Sequence, residues 1–320
     1  MPVSVMSRNN FPPLLAPGLR HIFLQFADLE IQKAKYPLIF HEANSEDAYE
    51  IDYEIGGTGP MPEMNEGERP ASDGLLQGNT KKYLHLTYGL LSEATWQLVS
   101  DDKYGVIKQI PRSHLRSGVY SRESVASSVF NLGGSTYVTN DGVSLFNTAH
   151  PLLGGPEATN VAPGVSNIIN SAGTYPNRPN PDTDLSFTAI QQAVNMFNRI
   201  PDGRGIPAMV RPKWLLIPPE LIFIAREILG SPGKPYTTDN EVNSLQGEDL
   251  KFVWWDYLTS PSAWFLLAEK EGHLLKFYER EALTGQTDDD FKTKVLMFLS
   301  TQRFSAGATT WYGTWGTFGP

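Results

Sequence analysis

DAYEIDYEIG (47–56), GTGPMPEMNEGERPASDGLLQGNT (57–80) and, after Lys81, KYLHLTYGLL (82–91) follow one another along the chain. The first and last pieces alternate apolar and polar residues, the period of strands with two unlike faces. Between them lies a polar tongue with little apolar content. Structureless connections beyond ~12–15 residues in a compact domain are usually functional or disordered. Extended at ~3.3 Å per residue, each half of this tongue reaches roughly 35 Å. The pattern predicts two strands carrying an arm that reaches across to another molecule. The alternative is a floppy hairpin tip.

On the N-terminal side, residues 1–17 are polar and carry Pro12, Pro13 and Pro17, which reads as an extended arm. Leu19, Ile22, Phe23, Phe26 and Leu29 then recur at helical spacing, predicting a helix over 18–34. Such a helix is too short to be stable alone, so its apolar face needs a partner, in its own core or on a neighbouring subunit.

On the C-terminal side, Ser92–Leu132 reads as one long helix with Ser92 as N-cap. Glu93, Asp101 and Asp102 come early and Arg112, Arg116 and Arg122 late, as the helix dipole favours. Pro111 predicts a kink or a break, and Gly133-Gly134 the end. Beyond it come a surface loop at 154–184, an amphipathic helix over Leu185–Arg199 and a strand at Lys213–Ile217. A helix opened by Pro219, a polar loop at 230–248 and strands at 250–256, 263–268, 273–279 and 291–304 complete the chain. The class is mixed α+β, and its long excursions suit a protein completed by neighbours.

Little points to chemistry. The formal net charge is -9 and no basic run is longer than Lys81-Lys82, which argues against gripping DNA through its phosphates. There is no cysteine, hence no disulfide or thiolate metal site. No apolar run approaches the ~18 residues of a membrane span. The nucleophile elbow, the zinc-protease helix, the P-loop and the dinucleotide fingerprint are all absent. The six histidines are scattered, and His150, before Pro151, is expected to serve a structural hydrogen bond. Asp288-Asp289-Asp290 reads as a solvated turn, with a hard cation as the sharper alternative. Trp311, Tyr312, Trp315 and Phe318 are expected to pack and not to stack on bases. Glu63, Glu66, Glu68 and Arg69 sit in the tongue. Its acids could act as proton donors or acceptors only if buried, so contacts between subunits fit them better. No cofactor and no metal is expected, and no membrane.

Five segments then carry a resemblance, in one order along nearly the whole chain. They are PMPEMNEGERP (60–70), DDKYG (101–105), NDGVSLFNTAHP (140–151), RGIPAMVRPKWLLIPPELIFIAREIL (204–229) and RFSAGATTWYG (303–313). On these the chain resembles the major head subunit of Mu-like tailed bacteriophages, which has the Hong Kong 97-like capsid fold. The resemblance implies an N-terminal arm at 1–45, an extended loop at 46–91 and a peripheral domain with a spine helix at 92–139. It implies an axial domain at 140–270 and a return to the peripheral domain at 271–320. It brings no catalytic residue. The implied function is self-assembly, as pentamers and hexamers, into an icosahedral head that encloses double-stranded DNA. The implied partners are further copies of the chain, a separate scaffold protein, a portal, a decoration protein and packaged DNA through weak contact. The implied place is the virion capsid, assembled in the host bacterial cytoplasm. An encapsulin-type compartment shell and an α+β enzyme are the alternatives.

Overall fold

The computed structural model describes residues 15–59, 61, 63–102, 105–153, 174–203, 205–233, 242–290, 293 and 295–319. Helix α1 (Leu15–Ile31) and a single turn, α2 (Tyr36–Ile39), lead into strands β1 (His41–Asn44), β2 (Tyr49–Gly56), β3 (Leu76–Leu84) and β4 (Leu86–Thr95). A short helix, α3 (Trp96–Ser100), precedes the long helix α4 (Gln109–Asn131). Then come β5 (His150–Pro151), β6 (Thr174–Tyr175), α5 (Phe187–Phe197), β7 (Pro212–Ile217) and α6 (Ile222–Gly230). The chain closes with β8 (Lys251–Trp254), β9 (Trp264–Ala268), β10 (Leu275–Asp289), β11 (Val295–Ala308) and β12 (Thr314–Thr317).

Two four-stranded sheets carry the body. One has the order β1-β10-β11-β4, the other β12-β9-β7-β8. β2 and β3 pair only with each other, antiparallel, from Tyr49 opposite Leu84 to Gly56 opposite Leu76. The main core gathers α2, the C-terminal half of α4, α5, α6 and the second sheet around Phe130, Phe146, Trp255, Phe265 and Trp311. A smaller core joins α1 to α4 and the first sheet through Leu19, Phe23, Ala94, Ile107, Leu115 and Phe298. The apolar face of α1 is thus covered within its own chain: Leu19 and Phe23 are buried there.

Three expectations change at the boundaries. The 82–91 segment is two strands and not one. His85 lies between them; its Nε2 is 3.0 Å from Ser45 Oγ and its Nδ1 3.0 Å from Ser305 Oγ. β3 stays in the hairpin, while β4 crosses to the first sheet and pairs with β11, Leu86 opposite Phe304 through Thr95 opposite Val295. The long helix does not begin at Ser92, which lies in β4, because ten ladder positions with β11 outbid the local helical pattern. Thr95 caps α3 instead, accepting from the Leu98 amide at 3.4 Å. Pro111 then falls in the first turn of α4, where no intrahelical amide donor is needed, so it starts the helix and does not kink it. The third change concerns Asp288 and Asp289, which end strand β10 and do not form a turn. β11 likewise runs from Val295 to Ala308, displaced from 291–304.

Other expectations match. The helix expected over Leu185–Arg199 is α5, and Ser186, which the sequence reading did not single out, caps it with its hydroxyl on the Ala189 amide at 3.2 Å. Trp311 and Trp315 are buried. Of the loop at 154–184, residues 154–173 lie outside the described residues, and the remainder buries Tyr175 and Asn177 in the core. Residues 234–241 of the polar loop, and 1–14 of the arm, also lie outside them.

Buried histidines make the fold acid-sensitive. His273 is buried, its Nδ1 accepts from the Leu275 amide at 3.3 Å, and burial lowers its pKa to about 4. Burial also lowers His85 and His114 below the ordinary 6.5. The unfolded chain therefore binds protons that the folded one refuses. The histidine contribution to stability is complete above pH ~6.5 and is lost as the pH falls toward 4. His273 alone accounts for about 3 kcal/mol of that loss. Urea titrations of the dispersed subunit at pH 7.5 and 4.5 should show it, and His273→Asn should flatten the difference.

Candidate assembly surface

The β2–β3 hairpin presents its two faces the wrong way round for an isolated molecule. Glu50, Asp52 and Glu54 alternate with Tyr49, Ile51, Tyr53 and Ile55. The acids face the body. Asp52 Oδ1 accepts from the Tyr278 hydroxyl at 2.8 Å, and its Oδ2 accepts from Thr309 Oγ1 at 2.9 Å and from Lys276 Nζ at 2.7 Å. Glu50 accepts from Ser45 Oγ at 2.6 Å. Glu54 is buried and accepts from Asn140 Nδ2 at 2.8 Å; burial raises its carboxyl above the ordinary range. Tyr83, buried on the same face of β3, lies with its hydroxyl 2.7 Å from Thr309 Oγ1.

The apolar residues face out. Tyr49, Ile51, Tyr53 and Ile55 are 44%, 49%, 59% and 59% exposed, and Leu75 and Leu84 are exposed beside them. Tyr53, Ile55, Leu75, Leu76 and Gln77 line a shallow trough. A contiguous apolar face of this kind marks an interaction surface. Lys82 covers one end of it, its Nζ 3.9 Å from the centre of the Tyr49 ring, and Thr80 and Gln77 stand opposite Tyr53 and Ile55.

Beyond the strands the tongue runs from Gly57 to Leu75. The Gly59 amide donates to Asp73 Oδ2 at 2.6 Å and ties the two legs. At the tip the chain turns over Asn65–Glu68, with Gly67 at φ 83° and the Glu68 amide donating to the Asn65 carbonyl at 3.1 Å. Glu68 Oε2 accepts from the Asn65 amide at 3.1 Å and from its Nδ2 at 2.9 Å. The amide bond, then the side-chain bond, holds this exposed carboxyl below its ordinary value. The structure places Glu63, Glu66, Glu68 and Arg69 together on this tip, all exposed. None of the four forms an ion pair among the described residues.

The base of the tongue is a closed polar network. His150 Nδ1 lies 2.6 Å from Asp141 Oδ2, and its Nε2 lies 3.1 Å from Asn177 Oδ1. Asn177 Oδ1 accepts from the Asn147 amide at 2.8 Å while its Nδ2 donates to the Leu145 carbonyl at 2.8 Å. Burial pushes the Asp141 carboxyl up, but its bonds to His150 and Thr139 prevail and hold it low. Lys81, at the base, donates to the Val138 carbonyl and lies 4.9 Å from the Tyr137 ring centre. A second chain of groups, unmarked in the sequence, sets His114 between Ser92 Oγ at 2.7 Å and Ser300 Oγ at 2.8 Å. Among the described residues no carboxylate completes it as a nucleophilic triad, and both ring nitrogens are engaged. Among the described residues no three metal-binding side chains are grouped to hold an ion, and no helix is long and apolar enough to cross a membrane.

The sequence marks the polar tongue but not which face of the hairpin lies outward. The alternation was visible, but which face lies inward depends on where Tyr278, Thr309 and Lys276 fall, more than 200 residues away.

A family model described as phage capsid protein matches residues 79–316. A comparison with curated proteins finds no match. A solved structure from Microbacterium phage Oxtober96 is similar with a TM-score of 0.53 at 10% identity, over 90% of this chain and 91% of that one. The capsid of an empty GTA particle gives 0.52 at 12% identity, over 90% of each chain. A virus-like particle from Pyrococcus furiosus gives 0.51 at 9%, over 95% of this chain and 99% of that one. At such identities the likeness carries the fold, which is Hong Kong 97-like.

Asp52→Ala should free the hairpin without unfolding the body. Charge-assisted hydrogen bonds are each worth about 1.5–3 kcal/mol. Hydrogen exchange of the β2 and β3 amides should speed up at least about tenfold in the variant, with the α4 amides unchanged.

Proposed function

Starting from the phage capsid protein family, to which this chain belongs, we propose that this tailed-phage major capsid protein builds an icosahedral head of pentamers and hexamers around double-stranded DNA. Assembly into capsid shells is the family's function, and the subunit is a structural protein. The observation that carries the finer reading is the outward apolar face of the hairpin, continued by a tongue that belongs to no core of its own chain. Covering the exposed half of Tyr49, Ile51, Tyr53 and Ile55 would release about 3–6 kcal/mol per subunit. That is weak for one contact and ample for a closed shell, where each subunit makes several at once.

In this reading 1–45 is the arm, 46–91 the extended loop, 92–139 and 271–320 the peripheral domain, and 140–270 the axial domain. α4 is the spine helix. A scaffold protein, a portal and a decoration protein are further partners, assembly takes place in the bacterial cytoplasm, and DNA touches the wall only weakly, in keeping with the net charge of -9. The likeness to a virus-like particle supports one second reading, a compartment shell around protein cargo.

Gly56 and Leu76 face each other in the hairpin ladder, so an Asn-Gly turn can replace residues 57–75. The shortened subunit should keep its circular dichroism and urea midpoint yet yield no stable shells by electron microscopy. Normal shells would sink the tongue as an assembly element. DNA-filled as against protein-filled particles from the intact chain decide between head and compartment.

A further inference from the structure

The β2–β3 hairpin breaks step once. Tyr53 pairs with Thr80 and Ile55 with Gln77, so Glu54 stands opposite two residues, Gly78 and Asn79. A bulge of this kind bends the strand that carries it. Here it also divides the hairpin between two holders. The near half, Tyr49–Tyr53 with Thr80–Leu84, is gripped by the end of the first sheet: Asp52 meets Tyr278, Thr309 and Lys276, and Tyr83 meets Thr309. The far half, Ile55–Gly56 with Leu76–Gly78, meets another part of the chain.

That part is Leu153. A Cβ on Gly78 would stand 3.1 Å from Leu153 Cδ1 and 2.8 Å from Glu54 Cβ, and one on Gly56 would stand 3.5 Å from the same Cδ1. Leu153 also meets the turn after α5, where a Cβ on Gly203 would stand 2.7 Å from Cδ1 and 3.2 Å from Leu153 Cβ. A methyl group at the two closer positions would displace its neighbour, so the notch stays open only while glycine lines it. Both sides of the contact are well fixed. Leu153 follows β5, where His150 is buried and bonded through both ring nitrogens and Leu152 is buried. The turn is closed by Asp202, whose amide donates to the Ile206 carbonyl at 2.6 Å and whose Oδ1 accepts from the Ile206 amide at 2.9 Å. Asn140 supports the bulge itself, donating through Nδ2 to Glu54 Oε2 at 2.8 Å and to the Asn79 carbonyl at 3.4 Å. Leu153 is only partly buried and belongs to neither core. Its side chain is spent on the hairpin and the turn.

We propose that the bulge is a hinge and Leu153 its pin: the far half of the hairpin, and the tongue beyond it, take their pitch from the 140–153 segment and the turn at Gly203, and not from the first sheet. This rests on the reading of the tongue as a contact between subunits and adds what aims it. A single leucine among glycines suits the task, because it can turn in its notch without breaking a hydrogen bond. Asp52 meanwhile keeps the near half in place. The tongue supplies leverage. Each leg reaches about 30 Å, so a turn of about 10° at the bulge moves the tip about 5 Å. A shift of the 140–153 segment against the first sheet therefore re-aims the tongue, and one sequence can serve more than one angle.

Hydrogen exchange of the dispersed, full-length subunit reads the joint by itself. Leu153→Ala should speed the ladder amides of 55–56 and 76–77 at least about tenfold and leave those of 49–53 and 80–84 within about twofold. Gly203→Ala, which drives Leu153 from the notch, should give the same split. Leu153→Met, which refills the notch, should abolish it. Leu153 lies outside both cores, so the body should keep its urea midpoint throughout. Shells assembled from Leu153→Ala should range over several diameters by electron microscopy where the intact chain gives one. Equal speeding of both halves, or no change in either, would overturn the proposal. A split in exchange with shells of one normal diameter would overturn the aiming role. Normal shells after deletion of 57–75 would end the tongue reading, while a split in exchange would leave the hinge standing.

Discussion

Asp52 meets a hydroxyl of Tyr278, a hydroxyl of Thr309 and the ammonium of Lys276 at once, and this grip decides which way the hairpin faces. A one-sided strand normally hides its apolar residues, because burial of such side chains is the main favourable term in folding. Here the body offers β2 a row of donors. Glu54, buried against Asn140, adds to the same preference. A one-residue slip would send these carboxylates outward and leave Lys276 and Asn140 without their partners, so the register is held firmly. The apolar face is outward because the polar face has the better partners inward.

The hairpin needs a rigid frame to be aimed, and α4 supplies it. Two adjacent buried charges on this helix tie separate parts of the chain together. Arg122 donates to Gln302 Oε1 at 2.8 Å in the first sheet, to the Tyr36 hydroxyl at 3.2 Å and to Glu279 Oε2 at 3.0 Å. Glu123 accepts from the Lys35 and Tyr36 amides after α1 and from the indole of Trp255 next to the second sheet. Burial raises the Glu123 carboxyl, and the three donors oppose that shift. Buried charges seldom add net stability, but they fix one arrangement of the elements that meet them. The elements fixed here are the α1–α2 connection, the first sheet and the edge of the second sheet.

Much of this was legible because local patterns and tertiary structure agree. The strand at 49–56, the tongue after it, the helix at 187–197 and the short apolar strand at 212–217 announce themselves by period and by apolar content. Ser92 misled for the opposite reason: a good cap stands inside a segment that a distant strand, β11, recruits into its ladder. His85 hid the division of one apparent strand into two, since nothing local shows that Ser45 and Ser305 wait on either side of its ring. The tip glutamates were legible as exposed.

An exposed apolar strand face is also a hazard, since it invites pairing with anything similar. Three features restrain it. Lys82 lies over Tyr49. β2 carries an irregularity between Tyr53 and Ile55, which disturbs a flat template. The carboxylates behind it anchor the hairpin to one sheet, so it is offered at a fixed angle and not as a loose strand. A shell subunit requires this compromise. A contact strong enough to hold one pair of subunits would trap wrong pairs as firmly as right ones. On the assembly reading proposed above, a modest apolar face lets errors dissolve and leaves closure of the shell to supply the stability.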